Sequence, residues 1–235
     1  MPGRQTAFSY PVGWGGKRAN AGRKRVGKRR VAHLRRPEHK ARFPLHVVMR
    51  LAPGCRANLR RRDLYRMLYR AFCRGCNGNG FRIVSYSIQG NHVHLICEAR
   101  DRRALSKGMQ GFNTRMAKGI NAVLGRSGRV FDDRYFAEPL RNPNRVRNTL
   151  CYVLNNAKRH AREVGEAAWL ERSWVDPYTS AAHFDGWRSD CRHWVPPPHD
   201  GAPPVADAET WLLREGWRRR GLIDTAEVPG PRRAG

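Results

Sequence analysis

Two histidines separated by one residue give the clearest chemical signal in this sequence. His92 and His94 lie in the run 90–96, Gly-Asn-His-Val-His-Leu-Ile, which is typical of a β-strand. Because alternate side chains of a strand point to the same face of a sheet, both imidazoles can approach one metal ion. Such a pair is common by chance, so this chemistry needs support from residues elsewhere in the chain.

That support comes from a helix-like segment about sixty residues later, over residues 147–160. Tyr152 and Asn156 are four positions apart, so they share one face of a helix. Tyr152 also lies off the apolar stripe, which consists of Val146, Leu150, Val153 and Ala157. Two imidazoles, an amide oxygen and a phenol are sufficient for metal-assisted attack on a phosphodiester.

The charge of the chain indicates which phosphodiester this would be. The sequence has 46 Lys and Arg residues against 19 Asp and Glu, a formal net charge of +27. A charge of this sign and size attracts polyanions, so we predict a nucleic-acid partner. An anionic membrane is the weaker alternative, because no amphipathic helix with a large apolar face accompanies the basic residues.

Compartment and redox state follow from other features of the sequence. The sequence contains no run of about 18 apolar residues, so we expect no transmembrane helix. Residues 1–12 lack the pattern of a secretory signal. Six cysteines are scattered, and Cys73 and Cys76 form a lone C-x-x-C that is only a weak zinc signal. We therefore expect free thiols and a cytoplasmic, nucleoid-associated bacterial protein.

The order of predicted elements is β-α-β-β-α-β-α. The first six match the ferredoxin-like βαββαβ arrangement, so we predict an α+β fold: a four-stranded antiparallel sheet followed by a C-terminal catalytic helix. Two helices would cover one face of the sheet, with Val93, Leu95 and Cys97 facing them and His92, His94 and Glu98 on the other face. The predicted strands are 45–51, 81–88, 92–99 and 130–140, and the predicted helices are 59–74, 104–123 and 143–163.

Three regions are expected along the chain. Residues 1–43 hold thirteen Lys and Arg residues with one acidic residue, and this composition predicts a disordered, basic DNA-binding arm. Residues 44–195 form the catalytic domain, capped by tryptophans, and residues 196–235 form a Pro/Arg-rich tail with a short helix near 210–223. In the arm, the DNA-binding candidates are Arg18, Arg23, Lys24 and Arg25.

The motifs GNHVHL, GRVFDDRY and NRVRNTLCYVLNNAKRH together resemble the REP-associated tyrosine transposases, a single-tyrosine branch of the HUH nucleases. The resemblance covers about residues 43–195. It implies that His92 and His94 bind Mg²⁺ or Mn²⁺, that Asn156 is a third protein ligand and that Tyr152 is the nucleophile. It also implies single-stranded DNA hairpins as substrate, cleaved through a 5′-phosphotyrosine, by a monomer or a homodimer.

Other assignments stay open at this point. Tyr135 is a second candidate nucleophile, Asp132 and Asp133 are alternative metal ligands, and Glu98 is a candidate for orienting an imidazole. A catalytically inactive, domesticated DNA-binding protein would keep the same fold. A replication initiator or relaxase would use the same chemistry, and an RNA-binding module has a similar element order but would present aromatic residues on its sheet.

Phosphate contacts by the basic residues predict a strong dependence of DNA affinity on salt. Each neutralised phosphate releases counterions, so log affinity should fall linearly with log salt concentration in a binding titration. A flat line would contradict phosphate tracking. Outside the arm, the predicted DNA-binding residues are Arg100, Arg103, Arg134, Arg147 and Arg159.

Overall fold

A computed structural model describes residues 38–132, 134–163, 173–188 and 202–229 of the 235-residue chain. Most of the predicted basic arm, with Arg18, Arg23, Lys24 and Arg25, lies outside the described residues. The same is true of Asp133, the predicted alternative metal ligand, and of Trp169 and Trp194, two of the tryptophans expected to cap the catalytic domain.

The described strands form one antiparallel sheet in the order β2-β3-β4-β1-β5. The four predicted strands are present, and a two-residue strand adds a fifth at the edge. It arises because Asn79 and Gly80 adopt positive φ angles of 51° and 74°, which turns the chain back onto β3. The bounds are β1 Leu45–Arg50, β2 Asn77–Gly78, β3 Phe81–Ile88, β4 His92–Ala99 and β5 Phe136–Pro139.

The last strand is shorter than predicted from the sequence. The pattern over 130–140 suggested a continuous strand, but β5 begins only at Phe136. Phe131 forms a separate bridge with Leu51, and the Asp132 backbone N–H donates to the Arg50 carbonyl at 2.8 Å. The strand β5 itself pairs with β1 from Val48↔Phe136 to Leu45↔Pro139.

The helices follow the predicted order, with two changes near the C-terminus. The predicted helix 143–163 is divided at Asn155, which has φ −104° and ψ 17°. The predicted tail helix is divided too, into α5 and a 3₁₀ turn at Gly216–Arg220. The bounds are α1 Arg62–Cys73, α2 Arg102–Val123, α3 Pro143–Leu154, α4 Asn156–Glu163 and α5 Trp211–Arg214.

Local sequence explains where the helices of the core begin. The Asp101 side chain accepts a hydrogen bond from the Ala104 backbone N–H at the start of α2. Asn142 does the same for the Arg145 N–H at the start of α3, where Pro143 occupies the first turn. Each cap satisfies a backbone donor that the helix itself leaves unpaired.

The sheet separates two hydrophobic cores. One lies under α1 and α2 and contains Val93, Leu95 and Cys97 of β4, as the alternation in the sequence predicted. The other lies on the opposite face, where Ile96 packs with α3 and the C-terminal segment. The buried residues of this second core include Val146, Leu150, Val153, Leu212, Leu213 and Trp217.

The five described cysteines are buried, and they form no disulfide with one another. They include Cys73 and Cys76 of the lone C-x-x-C pair, which is only a weak zinc signal. Among the described helices, none combines the length and apolar character needed to cross a lipid bilayer.

The C-terminal segment, residues 202–229, holds the helix that carries Tyr152. Arg147 of α3 makes two hydrogen bonds to the Glu227 carboxylate, at 2.7 and 2.8 Å. Asn155 donates to the carbonyls of Asp224 and Glu227, at 3.1 and 2.9 Å. Lys158 donates to the Thr225 carbonyl at 2.7 Å. Polar contacts therefore tie both ends of the α3–α4 junction to one segment.

The Arg147–Glu227 pair predicts a pH-dependent contribution to stability. The hydrogen bonds and charge of Arg147 lower the pKa of Glu227. The stabilisation is therefore complete above the unfolded pKa of about 4.3 and is lost as the pH falls through the lower folded value. We expect Glu227→Gln to reduce the free energy of unfolding by about 1 kcal/mol at pH 7, and the difference from wild type to shrink in acid.

Denaturant unfolding measured at neutral and acidic pH tests this expectation. Glu215→Gln is the matched control, because Glu215 is an exposed carboxylate of the same segment. A Glu227→Gln protein with wild-type stability at every pH would contradict the role of the pair.

Candidate active site

The two predicted metal-binding histidines meet on the face of the sheet that carries the second core. In the register between β1 and β4, Val48 pairs with His94 and Arg50 pairs with His92. The Nε2 atoms of His92 and His94 lie 3.0 Å apart. Two adjacent ligands about 2.1 Å from an octahedral cation are separated by about 3 Å. The spacing of these two nitrogens therefore fits a shared cation.

Each imidazole also has a partner at its other nitrogen. His92 Nδ1 lies 2.8 Å from the Asn91 side-chain oxygen, and His94 Nδ1 lies 3.1 Å from His46 Nε2. Such contacts orient a metal-binding histidine and select the nitrogen that faces the metal. Here both leave Nε2 directed towards the same point.

The prediction that Glu98 orients an imidazole is wrong. Its carboxylate accepts hydrogen bonds from the backbone N–H groups of Glu209 and Thr210, at 2.9 and 2.8 Å. Arg82 lies 3.6 Å from the same carboxylate. Glu98 therefore anchors the C-terminal segment to the sheet, a contact between residues more than a hundred positions apart that strand alternation alone does not reveal.

The surroundings of His92 favour its neutral form. Burial, followed by the charges of Arg50 and His160, lowers the pKa of His92 to about 4. At neutral pH its imidazole is thus uncharged, which is the state that a metal ion requires. The sequence pattern alone does not assign Arg50 to the site. The signal was its alternation with His46 and Val48 on the first strand, but only the register places it opposite His92.

Tyr152 contacts the histidines from α3. Its ring centroid lies 5.2 Å from that of His94 and 6.2 Å from that of His46, with the rings nearly perpendicular. The guanidinium carbon of Arg159 lies 5.8 Å from the centre of the Tyr152 ring. Tyr152 is partly buried against the second core, so its helix is fixed while its ring borders the histidines.

The alternative tyrosine lies elsewhere. Tyr135 packs against the first core, on the other face of the sheet, and its hydroxyl oxygen is buried. Asp132 is exposed and forms an ion pair with Arg129 at 3.4 Å. Of the two candidate nucleophiles, Tyr152 is therefore the one beside the histidines.

Asn156 is the first residue of α4 and is 1% exposed. Neither its side-chain oxygen nor its nitrogen has a hydrogen-bond partner among the described residues. A buried amide without partners costs free energy, so its presence calls for a ligand. The described residues contain no metal-binding group of three or more His, Cys, Asp or Glu. The role of Asn156 as a third ligand stays a prediction.

The predicted DNA-binding residues differ in what they contact. Arg100, Arg103 and Arg134 are exposed, and Arg159 pairs with Glu163 at 2.9 Å. Arg147 is 14% exposed and binds Glu227 together with the carbonyls of Gly221 and Leu222. We therefore assign Arg147 to the packing of α3 and not to a DNA surface.

Two neighbouring asparagines give a test of what Asn156 is for. Asn156→Ala removes a buried amide without partners and introduces a better helix former, so stability should be unchanged or higher. Asn155→Ala removes two hydrogen bonds to the C-terminal segment and should cost about 1–3 kcal/mol. Thermal and denaturant unfolding of both variants measure this difference. Equal destabilisation by the two substitutions would show that Asn156 is a structural amide.

Comparison with known proteins identifies a family for this chain. Residues 40–156 match the family model described as "Transposase IS200 like", a span that includes His92, His94, Tyr152 and Asn156. No curated protein matches the chain. A solved structure of a REP-associated tyrosine transposase bound to a REP hairpin is 17% identical, with a TM-score of 0.47, over 70% of this chain and 95% of that one. From the family match across the sheet and the tyrosine helix, the chain belongs to the IS200-like transposases.

Proposed function

We propose that this IS200-like transposase cleaves and rejoins single-stranded DNA by a metal-dependent reaction in which Tyr152 becomes linked to a 5′-phosphate. The observation that carries the proposal is the convergence of His92, His94 and Tyr152 on one face of the sheet. A metal-binding pair and a phenol in contact with each other are the two components that such a reaction requires.

The cation would be Mg²⁺ or Mn²⁺, held by His92, His94 and the amide oxygen of Asn156. The 3.0 Å separation of the imidazole nitrogens and the unpartnered, buried amide support this ligand set. When bound, the cation supplies a Lewis acid that polarises a non-bridging phosphate oxygen and offsets developing negative charge.

Tyr152 performs the covalent step. Its phenolic oxygen attacks the phosphorus in line with the leaving 3′-oxygen, so one P–O bond forms as the other breaks. The phenol proton passes to solvent and the departing 3′-oxygen takes up a proton. A new 3′-OH reverses the step and joins two strands.

The substrate in this proposal is single-stranded DNA, with hairpins as the form that the motif resemblance implies. An attacking tyrosine on a fixed helix requires an exposed and bendable phosphate. In this proposal Arg100, Arg103, Arg134 and Arg159 would follow the backbone, together with the arm residues Arg18, Arg23, Lys24 and Arg25, which lie outside the described residues. His92, His94 and Tyr152 of one chain meet, which supports cleavage in cis by a monomer or a homodimer.

A covalent-adduct assay tests the nucleophile. Wild-type protein mixed with end-labelled hairpin DNA and Mn²⁺ should give a labelled protein band in a denaturing gel, and chelator should abolish it. Tyr152→Phe should lose the band completely, because the phenyl ring keeps the packing but cannot form the ester. Tyr135→Phe is the matched control and should keep it.

Two results would count against the proposal. A band that persists in Tyr152→Phe would reject this nucleophile. Tight binding of hairpin DNA by wild-type protein without any band would indicate the alternative from the sequence analysis, a DNA-binding transposase that has lost its chemistry.

A further inference from the structure

We propose that His46 is a positioning residue that sets the protonation pattern of His94 and thereby makes its Nε2 atom available as a ligand. The inference builds on the metal site of the proposed function, but it concerns a residue outside the ligand set. His46 lies on β1, and its Nε2 atom is 3.1 Å from His94 Nδ1.

The two rings are arranged for a hydrogen bond. Their planes differ by 20° and their centroids are 5.3 Å apart. The centroid separation exceeds the nitrogen separation by about one ring width, so the rings meet edge to edge and not face to face. An in-plane N–H donor aimed at an in-plane lone pair is the geometry that a strong hydrogen bond prefers.

Only one proton arrangement suits a metal ligand. For His94 Nε2 to offer a lone pair, the proton of the neutral ring must be on Nδ1, which then donates to His46 Nε2. His46 must in turn carry its own proton on Nδ1. The reverse arrangement, with His46 as donor, would place a proton on His94 Nε2 and block the bond to a cation.

His92 reaches the same state through a different partner. Its Nδ1 is 2.8 Å from the side-chain oxygen of Asn91, which can only accept a hydrogen bond. The proton therefore lies on His92 Nδ1, and the Nε2 lone pair faces His94 Nε2, 3.0 Å away. The two ligands thus have different hydrogen-bond partners. His92 is oriented by the side-chain amide of the adjacent residue, and His94 by a residue of the neighbouring strand.

Because both rings are buried, His94 depends on His46 as its hydrogen-bond acceptor. His46 is 1% exposed and His94 is 4% exposed, so water does not readily replace a lost acceptor. Loss of a partner that orients a ligand typically lowers metal affinity by about 10–100-fold. Nothing in the sequence pattern singles out His46, since it is separated from His94 by 48 residues.

The test compares two substitutions in the full-length protein. In His46→Gln, an amide oxygen takes the place of Nε2 and can accept the hydrogen bond. His46→Leu fills similar space but has no acceptor. We expect Mn²⁺ affinity, measured by calorimetry, to fall about 10–100-fold in His46→Leu and to stay near wild type in His46→Gln. Val48→Ala is the matched control, since it alters the same strand opposite His94 without touching the hydrogen bond.

Nitrogen NMR of the His94 ring gives a second readout that needs no metal. The wild-type protein and His46→Gln should carry the His94 proton on Nδ1, and His46→Leu should shift it to Nε2. A simple loss of packing would not move this proton and would not be rescued by Gln. Unfolding measurements confirm that each variant is folded.

Several results would overturn the inference. These are a wild-type His94 protonated on Nε2, a His46→Leu protein with wild-type Mn²⁺ affinity, or a His46→Gln protein as weak as His46→Leu. Failure of the proposed function looks different. A phosphotyrosine band in Tyr152→Phe, or no Mn²⁺ binding by wild type, would reject that function, while the position of the His94 proton would still decide the role of His46.

Discussion

In the antiparallel register between β1 and β4, Val48 lies opposite His94 and Arg50 lies opposite His92. A shift of one residue would turn every side chain of one strand to the other face and would place the histidines under α1 and α2. The apolar residues of the same strands prevent such a shift, because Val47, Val93 and Leu95 are fully buried in the first core. Packing on one face of the sheet thus determines the chemistry available on the other.

The tyrosine helix is positioned by a second set of contacts. Its apolar stripe packs on Ile96 of β4, and the C-terminal segment covers its other side with Leu213 and Trp217. Asn155 then interrupts the helix and binds that segment, so α4 starts afresh at Asn156. In an uninterrupted helix, Tyr152 and Asn156 would lie on the same face because they are four residues apart. The break at Asn155 places them on two separate helices, α3 and α4.

Burial and electrostatics both lower the pKa of His92 and so favour its neutral form. Burial of His92, followed by the charges of Arg50 and His160, disfavours a proton on its ring. The same charges that keep the imidazole neutral attract a phosphate backbone. The acidic residues near the site are used for structure instead: Glu98 holds the C-terminal segment and Glu227 holds Arg147.

Local periodicity in the sequence was enough to predict the α+β class, the strands that carry His46, His92 and His94, and the side of β4 on which the two predicted ligands lie. These features depend on residues close together in the chain, where a period of two or 3.6 assigns each side chain to a face. The fifth strand, the break at Asn155 and the partners of Glu98 and Arg147 were not predicted. Each depends on contacts between distant residues or on a turn too short to show a period. His46 shows the difference most clearly: the sequence places it on a strand, but only the pairing of β1 with β4 makes it the partner of His94.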